Sequence, residues 1–123
     1  KPIKVMLVDD QKMANFITRK LIEVTGFSTE VVDYTVPQEA LLDLSNTNPD
    51  LIFLDLNMPE VNGWQFLEKI TKIDIPAKLK IFVVSSSETP EDREKAKEFS
   101  AIKNYVVKPI SVSGIKDIIR QIE

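Results

Sequence analysis

The chain of 123 residues contains neither cysteine nor histidine. Without cysteine there is no disulfide scaffold and no thiolate nucleophile, and without both there is no usual zinc ligand set and no histidine-based triad. Side-chain chemistry is left to carboxylates, hydroxyls and lysine. No apolar run approaches the roughly 20 residues that a membrane-crossing helix needs, so no membrane insertion is expected. The start, Lys1-Pro2-Ile3-Lys4, lacks the apolar core of a secretion signal, and a cytoplasmic protein is the expectation. A net charge of -3 exerts no general pull on nucleic acid.

What is present fits one soluble globular domain over residues 1–123, with 43% hydrophobic and 28% charged residues. Ile3 to Val8 is an apolar run that stops at Asp9-Asp10 and predicts a first strand. From Gln11 to Val24, residues Met13, Phe16, Ile17, Lys20, Leu21 and Val24 fall near helical spacing and predict an inward face, with Gly26 as the left-handed stop. Thr29 to Tyr34 is β-branched and aromatic, a second strand. Thr35 and Gln38 are spaced as a capping box for a helix carrying Ala40, Leu41 and Leu44, which should end before the polar loop Ser45 to Pro49.

Leu51-Ile52-Phe53-Leu54 then leads into Asp55. Four apolar residues in a row read as a strand buried on both faces, as in a parallel sheet covered by helices. Glu60 to Gly63 is turn chemistry, and Trp64, Phe66, Leu67 and Ile70 mark a third helix ending near Pro76. Leu79 to Val84 is a fourth strand running into Ser85. Thr89-Pro90-Glu91-Asp92 starts a fourth helix whose apolar stripe, chiefly Ala96 and Phe99, is thin. Lys103 to Val107 is the fifth strand, ahead of Lys108-Pro109, and Ile115, Ile118, Ile119 and Ile122 give the last helix its apolar face.

Five strand–helix units in alternation predict the α/β class, a parallel sheet in three layers with helices on both faces. Strand ends converge on one edge of such a sheet, and ligands bind there. Four of the five strands end in a residue with chemistry: Asp9-Asp10, Asp55, Ser85 and Lys108. Taken singly, each has a plainer reading. Asp9 and Asp10 suit a helix cap and first-turn acid, Lys108 a surface position, and Tyr105 a half-buried strand aromatic.

Together, Asp9-Asp10, Asp55 followed by Met58-Pro59 and Gly63, Ser85, and Lys108-Pro109 resemble the response-regulator receiver domain of two-component signalling, the CheY-like family. The resemblance covers essentially the whole chain. It implies a (βα)5 doubly wound, flavodoxin-like sheet with strand order 2-1-3-4-5, in which Asp9, Asp10 and Asp55 crowd into one acidic pocket. Crowded carboxylates call for a cation, and Mg²⁺ suits a site of few carboxylates that leaves positions for water and a phosphate oxygen. The resemblance further implies that Asp55 takes a phosphoryl group from a phosphohistidine of a sensor histidine kinase or histidine phosphotransfer protein. Asp9, Asp10, Asp55 and the Asn57 backbone carbonyl would hold Mg²⁺. Lys108 would pair with the phosphoryl oxygens, and Ser85 and Tyr105 would form the switch. Output would pass through the face of the fourth helix, fifth strand and fifth helix.

Two other classes compete. A haloacid-dehalogenase-type phosphatase also pairs an aspartate nucleophile with Mg²⁺, but usually carries an acid two residues later, where this chain has Asn57. A flavodoxin-like cofactor domain needs a hydroxyl- and amide-rich loop after the first strand to hold the flavin phosphate, where this chain has two aspartates, and an unphosphorylated interaction module would leave the complete acidic site unexplained.

Overall fold

Five apolar runs form five parallel strands, each followed by a helix. The computed structural model describes residues 3–26, 30–56, 58, 63–70, 72, 79–85, 90–99, 102–107 and 110–122, apart from the side chains of residues 104, 107 and 122. The elements are β1 (Lys4–Val8), α1 (Lys12–Thr25), β2 (Glu30–Tyr34), α2 (Pro37–Thr47), β3 (Leu51–Asp55), α3 (Gly63–Ile70), β4 (Lys80–Ser85), α4 (Pro90–Ala96), β5 (Ile102–Val107) and α5 (Val112–Ile122). The sheet runs β2-β1-β3-β4-β5, the expected order.

Alternation along the strands divides the core into two layers. Met6, Val8, Ile52, Leu54, Ile81 and Val83 face Ala40, Leu44, Phe66, Leu67, Ile70 and Ala96 from α2, α3 and α4. Val5, Leu7, Leu51, Phe53, Phe82 and Val84 face Ile22, Ile115 and Ile118 from α1 and α5. All five residues of β3 are buried, as its unbroken apolar run requires. Edge strand β2 is partly exposed along its length. Between β4 and β5 the register slips: Ile81 pairs with Ile102 but Phe82 with Asn104, so residue 103 bulges out.

Three local expectations are corrected. Most of the predicted inward face of α1 points outward, leaving Met13, Phe16, Ile17 and Val24 at 65%, 52%, 51% and 73% exposure, while Leu21 packs against the core as expected. Asn15 and Ile22, two turns apart, are the residues that α1 buries. The apolar stripe exists but faces largely outward, and the helix is turned so that Ile22 and the hydrogen-bonded amide of Asn15 point inward. The capping box is not made. Val36 is the N-cap, without a side-chain hydrogen bond, because Pro37 takes the first helical position and moves the cap past Thr35. Helix α2 also runs through Ser45 and Asn46 to Thr47, and Asn48 ends it in the left-handed conformation (φ 49°), donating its N–H to the Leu44 carbonyl at 2.8 Å. Gly26 closes α1 in the same way at φ 68°, as expected. The predicted end of α3 near Pro76 and the Thr89 start of α4 lie outside the described residues.

Candidate functional site

At the carboxyl edge of the sheet, β1 and β3 lie side by side with Val8 opposite Leu54. The next residues, Asp9 and Asp55, are therefore neighbours although far apart in the chain. Asp10 follows in the β1–α1 turn, and each of the three carboxylates offers an oxygen within 4.8 Å of the others. Asp9 and Asp55 are buried, at 8% and 4% exposure, and Asp10 is half-buried.

The β1–α1 turn is tightly held. The Asp9 N–H donates to the Tyr34 carbonyl at 3.1 Å, and the Asp9 carboxylate accepts the Gln11 N–H at 2.9 Å. The buried Asn15 amide donates to the Asp9 carbonyl at 3.1 Å and to the Tyr34 carbonyl at 3.2 Å. The plainer reading of Asp9 and Asp10, as helix cap and first-turn acid, does not hold here. Gln11 is the N-cap of α1, and the first turn carries no acid. The Asp9 carboxylate instead bonds the N–H of the N-cap residue, one position before the helix.

Ser85 ends β4, fully buried, and β4 is tied to the end of β3 by the Leu56 N–H donating to Val84 at 3.1 Å. Tyr105 lies on β5 opposite Val83. It is buried rather than half-buried, at 7% exposure. Its hydroxyl reaches the Asp92 carboxylate at 3.5 Å, and the Arg93 guanidinium sits 5.3 Å from its ring centre. Burial pushes the Tyr105 hydroxyl above the ordinary tyrosine range. A side-chain hydrogen bond with Ser85 pulls the other way, and Asp92 pushes it up again. Ser85, Tyr105 and two residues of α4 thus form one continuous set of contacts. Asn57 and Lys108, the other expected site residues, lie outside the described residues.

The donor set suits a hard divalent cation: three carboxylate oxygens close together, one acid half-open to solvent, and no cysteine or histidine in the chain. Two contributors play parts that the sequence reading did not give them. Asn15 had a signal, an amide one helical turn after the acid pair, but nothing local says that it points inward. Gly63 was read as a turn residue, yet it opens α3 and packs on the backbone of Asp55 and Leu56.

Comparison with known proteins agrees with this geometry. The family model described as the response regulator receiver domain matches residues 5–120. The chain is 29% identical to the polar-differentiation response regulator DivK of Brucella anthropi, over 97% of this chain and 94% of that protein. It is 25% identical to the chemotaxis protein CheY of Thermotoga maritima, over 97% and 96%. Other relatives are much longer: the chain spans 14% of a gliding motility regulatory protein of Myxococcus xanthus, at 29% identity over 88% of this chain. A two-component response regulator from Cytophaga hutchinsonii superimposes with a TM-score of 0.90 at 27% identity, covering 99% of this chain and 97% of that one. Among the described residues no helix is long and apolar enough to cross a membrane. The chain belongs to the response regulator receiver domain family, the CheY-like module of phosphorelay in two-component signalling.

Proposed function

We propose that residues 1–123 are a single receiver domain in which Asp55 accepts a phosphoryl group from a phosphohistidine on a histidine kinase or phosphotransfer protein. The observation that carries this reading is the buried Asp55 carboxylate at the end of β3, grouped within 4.8 Å with those of Asp9 and Asp10. An Asp55 oxygen attacks phosphorus, the P–N bond to the donor histidine breaks, and an acyl phosphate results. Phosphoryl transfer needs an in-line nucleophile and neutralisation of charge on the equatorial oxygens, and little else. Asp9, Asp10, Asp55 and the Asn57 carbonyl would hold Mg²⁺, which would supply part of that positive charge. Lys108 supplies the rest.

The product adds roughly -1.5 to -2 of charge at neutral pH. Ser85 donates a hydrogen bond to it, which competes with the bond that Ser85 shares with Tyr105. Because Tyr105 also holds Asp92 and Arg93, a change at Ser85 bears on α4 and on an output partner at the α4-β5-α5 face. Family members are phosphoacceptor switches and not dedicated enzymes, and we expect only slow loss of the phosphoryl group here. The test is intact-protein mass after incubation with acetyl phosphate and Mg²⁺. Wild type should gain one phosphoryl group and Asp55→Ala none. Uptake by the variant at the wild-type rate would sink the assignment, and sustained hydrolysis of a phosphomonoester would favour the phosphatase chemistry instead.

A further inference from the structure

Among the described residues, four polar or charged residues are buried: Asp9, Asn15, Asp55 and Ser85. The proposed function uses three of them and leaves Asn15. We infer that Asn15 is a positioning residue for the cation site, locking the β1–α1 turn so that Asp9 and Asp10 are held beside Asp55 before a cation arrives. This inference rests on reading the acidic cluster as the cation site.

Three carboxylates in one pocket repel one another, and the simplest relief is for the β1–α1 turn to swing its two acids away from β3. Several hydrogen bonds oppose that motion. Two are given by backbone N–H groups, from Asp9 to Tyr34 and from Gln11 to the Asp9 carboxylate, and survive any substitution at residue 15. The others come from the Asn15 side chain, which spends both amide hydrogens on main-chain carbonyls. One carbonyl belongs to Asp9 itself, the other to Tyr34 at the end of β2. A single amide therefore ties the ends of β1 and β2 to the first turns of α1.

The setting makes a purely packing role a poor account of this residue. Asn15 is 3% exposed and lines a mostly apolar cleft with Ala14, Ile17 and Val84, where a leucine would bury more apolar surface. An amide there gains only by its hydrogen bonds, and what those bonds fix is the main chain of a metal-ligand candidate. Outer partners of this kind hold ligands in place, and their loss typically costs about 10- to 100-fold in metal affinity.

The test compares wild type and Asn15→Leu, as full chains, in two measurements. The first is Mg²⁺ affinity, from titration of backbone amide shifts in the unphosphorylated protein. The second is the rate of phosphoryl uptake from acetyl phosphate as a function of Mg²⁺. Asn15→Leu should weaken Mg²⁺ binding about tenfold and raise the half-saturating Mg²⁺ by the same factor. Its limiting rate at saturating Mg²⁺ should stay within about twofold of wild type. An unchanged Mg²⁺ affinity, with or without a loss of stability in urea, overturns the inference. So does a fall in limiting rate at unchanged half-saturation. If Asn15→Leu does not fold, Asn15→Ser is judged by the same two results. A wild-type protein that binds Mg²⁺ but takes up no phosphoryl group would sink the phosphoacceptor reading and leave the role of Asn15 standing. One that binds no Mg²⁺ would overturn both.

Discussion

The end of β3 leaves no room for a side chain on residue 63. A Cβ on Gly63 would lie 2.8 Å from the Asp55 carbonyl oxygen and 2.8 Å from Leu56 Cα, and the Gly63 N–H already donates to the Leu56 carbonyl at 3.1 Å. Backbone atoms cannot swing aside as the tip of a flexible side chain can, so Gly63→Ala must displace either α3 or the residue proposed as phosphoacceptor. The expected cost is about 1–3 kcal/mol in urea unfolding, the usual range for overpacking, together with slower phosphoryl uptake on Asp55. A variant with wild-type stability and wild-type uptake would contradict the close packing. This glycine was visible in the sequence as a turn former and as part of the receiver pattern but not as a packing contact, because a close approach between residues 55 and 63 is a property of the fold and not of either residue.

Helices α1 and α4 show what periodicity can and cannot convey. In α5, Ile115 and Ile118 recur on one narrow face and are buried as expected. In α1 Met13, Phe16, Ile17 and Val24 share helical spacing just as well, yet remain outside, because spacing defines a stripe and not what covers it. Met13 and Phe16 stand one to two turns beyond Asp10, on the rim that a phosphodonor protein of the proposed kind would cover. We expect Met13→Ser with Phe16→Ser to lower kcat/KM for transfer from a kinase about tenfold or more, as loss of an apolar interface anchor does. The rate with acetyl phosphate, which needs no docking surface, should be unchanged. Equal losses with both donors would place these residues in folding or chemistry instead of docking. Helix α4 buries only Ala96 and is held also by Asp92 and Arg93 at Tyr105. Its thin apolar stripe was legible in the sequence, but the polar attachment to β5 was not.

For the molecule as a whole, both tyrosines link stability to alkaline pH. Burial raises the Tyr34 hydroxyl above its ordinary value, a hydrogen bond with Thr47 pulls it down, and Asp43 raises it again. Tyr105 is raised chiefly by burial as well. A raised tyrosine is favoured in its neutral form by the fold, so its contribution is fully present below the unfolded value near pH 10 and is lost as pH climbs through the folded one. Urea midpoints should therefore be independent of these groups at neutral pH and fall above about pH 10. Tyr34→Phe and Tyr105→Phe should each make that fall shallower. Tyrosinate absorbance in the folded protein that rises fully by pH 10 would contradict the assignment. The sequence by itself determined the five strand–helix units and the residues that end the strands, because apolar runs and helical spacing are local properties written in consecutive residues. The match to the receiver pattern then supplied the strand order and the roles, which the sheet order bears out for the fold. The pattern also implied the meeting of Asp9, Asp10 and Asp55, and only the tertiary structure decided the rotation of α1, the caps of α2 and the inward course of Asn15. Each depends on which strand lies beside which, and on hydrogen bonds such as that from Asn15 to Tyr34, which join residues that the chain keeps apart.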